Sequence, residues 1–114
     1  MMAKANYGRH LPAFILLFLA KGPNYGSEII NMMETHLPFN LSDGPATYRA
    51  LKDLEKSGSV ESYWNTENAG APRKYYTLTT KGYETLREYE ADIKARKSNF
   101  EYFLAELAKL DIDK

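Results

Sequence analysis

Three short helical patterns, a pair of β-rich runs and one long helical pattern follow one another in 114 residues. That order predicts an α+β fold, mainly α: a winged helix-turn-helix with a long C-terminal helix. The change of period carries the assignment. Apolar residues recur at three- and four-residue intervals as far as Ser57, β-branched and aromatic residues crowd 59–66 and 73–79, and the helical spacing returns from Thr80.

Leu11, Phe14, Ile15 and Phe18 share one helical face, Pro12 suits a first turn, and Gly22-Pro23 ends the pattern, so the first helix is predicted to be buried. A second helix is predicted over Tyr25–Thr35, with Ile29, Ile30, Met32 and Met33 as its apolar residues and Leu37-Pro38 as its stop. Leu41-Ser42-Asp43-Gly44-Pro45 supplies capping residues and then a proline suited to N1, which opens a third helix over about 44–57 that Gly58 closes. Ser59–Thr66 and Arg73–Thr79 form a hairpin around the tip Glu67–Pro72. In the last helix Leu86, Ile93, Phe100 and Leu107 stand seven residues apart. At about 1.5 Å per residue that helix is roughly 45 Å long, more than so small a body can cover, and its seam calls for a partner. Residues 1–79 then form the body and 80–114 the arm of one compact unit.

Composition narrows the function. A chain of this length makes one domain, and its 44% hydrophobic content suffices for a core. Fifteen basic and fifteen acidic residues cancel, so attraction to nucleic acid must come from where the charges sit. The absence of cysteine closes disulfide, thiolate-zinc and thiol-nucleophile chemistry and suits a reducing cytoplasm, which is the expected location. The longest apolar run, Leu11–Ala20, falls short of the roughly 20 residues that span a bilayer, and no cleavage site follows it. His10 and His36 are isolated and no catalytic or metal-spaced set surrounds them, so no enzyme, metal or bound cofactor is expected. Gly22-Pro23 and Gly26 lack the spacing of a phosphate loop and read as a turn.

The third helix has two faces. Thr47, Ala50, Leu51 and Leu54 gather on one side, and Tyr48, Arg49, Lys52 and Lys56 on the other. Such a cationic face can be an ordinary solvated one, partly offset by Asp53 and Glu55. It gains meaning from Arg73 and Lys74 just beyond the hairpin tip, where a wing reaches phosphate or the minor groove. The Tyr48 phenol could either pack locally or bond a phosphate. Tyr75, Tyr76 and Leu78 read as alternately placed strand residues packing on the core rather than as an RNA-stacking platform.

Three motifs then carry a resemblance. Tyr25-Gly26-Ser27-Glu28-Ile29 is similar to the second-helix motif of the PadR family of winged-helix transcriptional regulators. Ala46–Gly58 resembles its recognition helix, and Ala71–Gly82 resembles its wing and the start of its last helix. In this order they cover most of the chain from Leu11 to Gly82. The resemblance implies a homodimeric repressor that binds a pseudo-palindromic double-stranded DNA operator. With the helix geometry, it assigns Thr47, Tyr48, Arg49, Lys52 and Lys56 to DNA through a recognition helix at about 44–57 in the major groove. It assigns Arg73 and Lys74 to the backbone through a wing at about 67–74. Arg49 stands where the family usually has proline and adds a donor for phosphate or guanine, while Ser59-Val60 replace a bulkier apolar pair and alter packing at the start of the wing.

The dimer contact is assigned to Leu86, Ile93, Phe100, Phe103 and Leu107, with the first helix completing it. Glu90 and Lys97 interrupt a neighbouring stripe, which favours a short two-helix contact over a regular coiled coil. The resemblance also implies a small aromatic effector held at the dimer interface. Phe100, Tyr102 and Phe103 offer aromatic surface there, with Trp64 a more distant candidate, although dimer packing alone accounts for Phe100 and Phe103 and the helix has no tryptophan of its own. The competing reading is a winged helix used for protein contacts without DNA, in keeping with the zero net charge.

Overall fold

The computed structural model describes residues 7–39, 43–67, 70–110 and 112. The helices are α1 (Leu11–Ala20), α2 (Gly26–His36), α3 (Gly44–Lys56) and α4 (Thr80–Ala108), and the strands are β1 (Asn24–Tyr25), β2 (Val60–Asn65) and β3 (Arg73–Leu78). Leu41 and Ser42, expected to help cap α3, and Asn68 and Ala69 of the expected wing tip lie outside the described residues.

The core is built around α1, which is apolar on nearly every side and buries Leu11, Ile15, Leu16, Phe18 and Leu19. Ile29 and Met33 of α2, Ala46, Ala50, Leu51 and Leu54 of α3, Val60 of β2 and Tyr76 of β3 close over it. No described helix is long and apolar enough to cross a membrane.

The ends of α3 explain its fixed position. Asp43 caps the N-terminus, its side chain accepting from the Ala46 N–H at 2.8 Å. At the C-terminus the Gly58 N–H donates to the Glu55 carbonyl and the Ser59 N–H to the Leu54 carbonyl, at 3.1 and 2.9 Å. This is a Schellman closure, and Gly58 takes the positive φ of 87° that it requires. The Thr79 hydroxyl then donates to the Gly58 carbonyl at 2.6 Å and accepts from the Gly82 N–H at 3.1 Å, so the turn that ends α3 is tied to the one that starts α4.

The sheet is antiparallel with the order β1-β3-β2. Register places Tyr25 opposite Tyr75, and Tyr75 opposite Tyr63. Strand alternation sorts the two faces. Val60, Tyr76 and Leu78 face the core, whereas Tyr75 turns away from it, meeting the Tyr25 ring edge-on and stacking on Tyr63, at centroid distances of 5.3 and 5.8 Å. The expectation that Tyr75 packs on the core is therefore corrected by one step of strand parity. β1 was not anticipated, since two residues carry no period to read. α2 begins and ends one residue later than expected, because Tyr25 pairs with β3 before the helix starts.

Candidate nucleic-acid interface

α3 presents one side to the core and the other outward, and its outer side meets β3. Tyr48, Lys52, Glu55, Lys56, Lys74 and Tyr76 line a shallow open groove between these two elements. Lys52 and Lys56 are exposed and make no ion pair among the described residues. Tyr76 forms part of the groove wall from its nearly buried position, and burial, opposed by nearby Lys74, raises the pKa of its phenol.

Tyr48 is 48% exposed. Its ring lies directly over Gly26, at the start of α2. A Cβ built there would overlap the ring, standing 2.8 Å from Cζ and 2.9 Å from the hydroxyl oxygen. The two motifs that hold Gly26 and Tyr48 are thus one contact: the absent side chain of the first makes room for the second. The Tyr48 phenol remains at the groove.

Lys74 belongs to the groove but is already engaged. Its Nζ lies 3.7 Å from Glu55 Oε1 and 5.6 Å from the centre of the Tyr76 ring. Glu55 Oε2 in turn accepts from the Ser62 hydroxyl at 2.5 Å, so the acid is held from β2 as well. Trp64 shares the sheet face of Ser62, pairs with Lys74 across the strands, and is exposed.

Other residues expected to reach DNA are placed differently. Thr47 is 1% exposed, and its hydroxyl donates to the Asp43 carbonyl at 3.1 Å. It is a core residue with no surface to offer DNA, and its assignment to the DNA contact is corrected accordingly. Arg49 is exposed but lies outside the groove, towards Asp53 and Tyr7. Tyr7 donates to Asp53 Oδ2 at 2.7 Å; burial first, and then that bond, push its pKa up to about 12. Arg73 stacks its guanidinium over Tyr25 at 4.4 Å, on the sheet face opposite Lys74. The structure thus gathers Tyr48, Lys52, Lys56 and Lys74, sets Arg49 at the far edge, and parts Arg73 from its neighbour. Sequence reasoning missed the place of Glu55 inside the groove. Its spacing from Tyr48, seven residues on one helical face, was the available signal.

A second surface runs along α1 and α4. Phe14 and Leu17 of α1 face Tyr83, Leu86 and Ile93 of α4 across an apolar groove of about 730 Å³. Among the residues assigned to the dimer contact, Leu86 packs against the core, whereas Ile93, Phe100, Phe103 and Leu107 are exposed. At the edge of this surface His10 Nε2 lies 2.8 Å from Asp92 Oδ2, and Arg96 Nε reaches both oxygens of the same carboxylate at 3.1 and 3.0 Å. The bond from His10, then that from Arg96, holds the Asp92 carboxyl below the usual range.

Comparison with known proteins gives this geometry its context. The model of the PadR-like family of transcriptional regulators matches residues 15–88. An uncharacterised protein of Lysinibacillus sphaericus is 31% identical over 80 residues, which cover 69% of this chain and 73% of that one. A PadR family transcription regulator from Clostridium difficile is 29% identical with a TM-score of 0.73, over 83% of this chain and 98% of that one. A PadR-like transcription factor from Bacteroides fragilis is 31% identical with a TM-score of 0.65, over 82% and 88%. A conserved protein described as a potential transcriptional factor aligns over 96% of both chains, with 28% identity and a TM-score of 0.78.

Proposed function

The chain belongs to the PadR-like family of transcriptional regulators, which are not enzymes, and on that premise we propose that it is a cytoplasmic repressor that binds an operator in double-stranded DNA as a two-fold dimer. The observation that carries the proposal is the convergence of Tyr48, Lys52 and Lys56 on α3 with Lys74 on β3 along one open groove. A helix that lays such a face in the major groove, flanked by a basic strand end, meets both the base edges and the phosphates they hang from. Arg49 would extend the contact at the outer edge of α3, and Arg73 would reach backbone only from the opposite face of the wing.

The dimer reading rests on the exposed α1–α4 surface, where Phe14 and Ile93 stand beside Phe100, and on Leu17 of α1 and Phe103 and Leu107 farther along α4, which are also exposed. A second copy is its natural cover, because a self-complementary apolar patch is what a two-fold axis pairs. That seam is also where a small planar aromatic effector would be held, between Phe14 and Phe100 of the two subunits.

The test is retardation of the chain's own upstream DNA at two salt concentrations, with an unrelated duplex as competitor. The wild-type protein is expected to bind specifically and to weaken steeply with salt, since each phosphate contact adds about 0.9 to the log–log slope. Arg49→Glu combined with Lys74→Glu is expected to abolish retardation while leaving a folded dimer. Intact binding by that variant would refute the assignment, and a wild-type protein with no salt-sensitive duplex affinity would turn the α3–wing groove into a protein-contact surface.

A further inference from the structure

We propose that Glu55 is a specificity-determining residue of the DNA interface, holding Lys74 back from phosphate so that binding to unmatched DNA is penalised. The inference rests on the DNA-binding reading above. Its basis is the position of a carboxylate within a groove whose other charged residues are Lys52, Lys56 and Lys74.

Three observations set Glu55 apart from an ordinary surface acid. It is held at both oxygens and from two strands, by the Ser62 hydroxyl at 2.5 Å and by Lys74 Nζ at 3.7 Å. It cannot swing clear of an approaching phosphate without giving up both. The neighbouring acids are turned elsewhere: Asp53 receives the Tyr7 hydroxyl on the far side of α3, and Glu61 has the strand parity of Tyr63, on the outer face of the sheet. Finally, the pair is partly exposed, and ion pairs of that kind add little to stability, so its main consequence is electrostatic.

Non-specific affinity is built from Lys and Arg contacts to phosphate and scales with their number. A glutamate that occupies one wing lysine removes about one such contact from a duplex that does not fit. Lys74 reaches phosphate only when the rest of the groove is engaged closely enough to draw it from Glu55, which requires Tyr48, Lys52 and Lys56 to be seated. Glu55 therefore lowers affinity for arbitrary sequence more than for a duplex that fits, which is how a repulsive element creates specificity.

The probes are a labelled mixed-sequence duplex of about 30 base pairs and the chain's own upstream DNA, each titrated by anisotropy over a salt series. The inference requires every gain on the mixed duplex to be larger there than on the upstream DNA, and equal gains on both would overturn it. The proteins are full-length wild type, Glu55→Gln, Lys74→Gln, the double variant, and Glu61→Gln as a charge-matched control. Glutamine keeps the shape of Glu55 and an acceptor for Ser62. Glu55→Gln is expected to bind about fivefold or more tightly at moderate salt, with a slope steeper by about 0.9. That gain should disappear when Lys74 is also glutamine, and Glu61→Gln should match wild type. Unchanged affinity in Glu55→Gln would overturn the inference. So would a gain of equal size without Lys74, or an equal gain from Glu61→Gln, since either is general charge removal. Failure of every variant, wild type included, to bind at the lowest salt would overturn the DNA-binding reading itself and this inference with it.

Discussion

Gly26 and Gly82 stand where neighbouring groups leave no room for a Cβ, and they differ in what would have to move. At Gly82 the obstacle is the Ser59 carbonyl oxygen, a backbone atom bonded to the Thr79 N–H at 3.1 Å, together with Leu78 Cγ at 2.9 Å. At Gly26 the obstacle is the Tyr48 ring, which can rotate away. Gly82→Ala is therefore expected to cost about 2–3 kcal/mol and Gly26→Ala nearer 1 kcal/mol, within the range of small-to-large changes in packed sites. Urea denaturation measures both. Combining Gly26→Ala with Tyr48→Ala should recover most of the loss caused by the glycine change, since the obstacle is then gone. A Gly82→Ala protein as stable as wild type would contradict the geometry at that turn.

Between elements, α1 and α4 are joined by a polar tie at the rim of their apolar contact. His10, at the N-terminal cap of α1, and Arg96, one turn along α4, both bond Asp92. The Asp92 carboxyl is lowered in the folded chain, so its contribution to stability is fully present above the unfolded value, and it is lost as pH falls through the folded value. Asp92→Asn is expected to melt slightly below wild type at neutral pH, with the gap closing as pH falls through the lowered value of the folded carboxyl. A gap that persists unchanged at acid pH would assign the loss to packing instead. The same logic of paired elements governs α3 and the sheet, where Glu55 ties Ser62 and Lys74 to α3.

For the molecule as a whole, the dimensions of 61 × 27 × 26 Å reflect one long arm. A radius of gyration of 17.2 Å exceeds the about 13 Å of a compact chain of this size. The 29 residues of α4 account for about 44 Å of length. Its N-terminal half leans on α1 and β3, while Phe100, 65% exposed, and Phe103, Leu104 and Leu107 leave apolar surface in water. A patch of this kind is expected to be covered by a second copy. Ile93, 37% exposed and lining both parts of the α1–α4 surface, is the point at which to break that contact without breaking the fold. Ile93→Asp is expected to sediment as a monomer with unchanged helical content, against a wild-type dimer. An undisturbed dimer would place the interface elsewhere.

Much of this architecture was legible in the amino-acid order, because periodicity states which face of an element is apolar. The succession of helices, hairpin and long helix, the cationic outer face of α3, and the apolar stripe along α4 all follow from spacing alone. Spacing does not state what covers a face, and there the tertiary structure decided. β1 exists because β3 offers a free edge to two residues that have no period of their own. Thr47 and Tyr48 are neighbours in sequence, yet packing against α1 and α2 buries one and seats the other over Gly26. Arg73 and Lys74 look alike as a basic pair until strand pairing sends them to opposite faces. His10 meets Asp92 across 82 residues of chain, and Glu55 takes its place in the α3–β3 groove because Ser62 and Lys74 arrive there from two strands. Periodicity is a local property of the chain, whereas the partner of a side chain is set by which distant segment the fold brings against it.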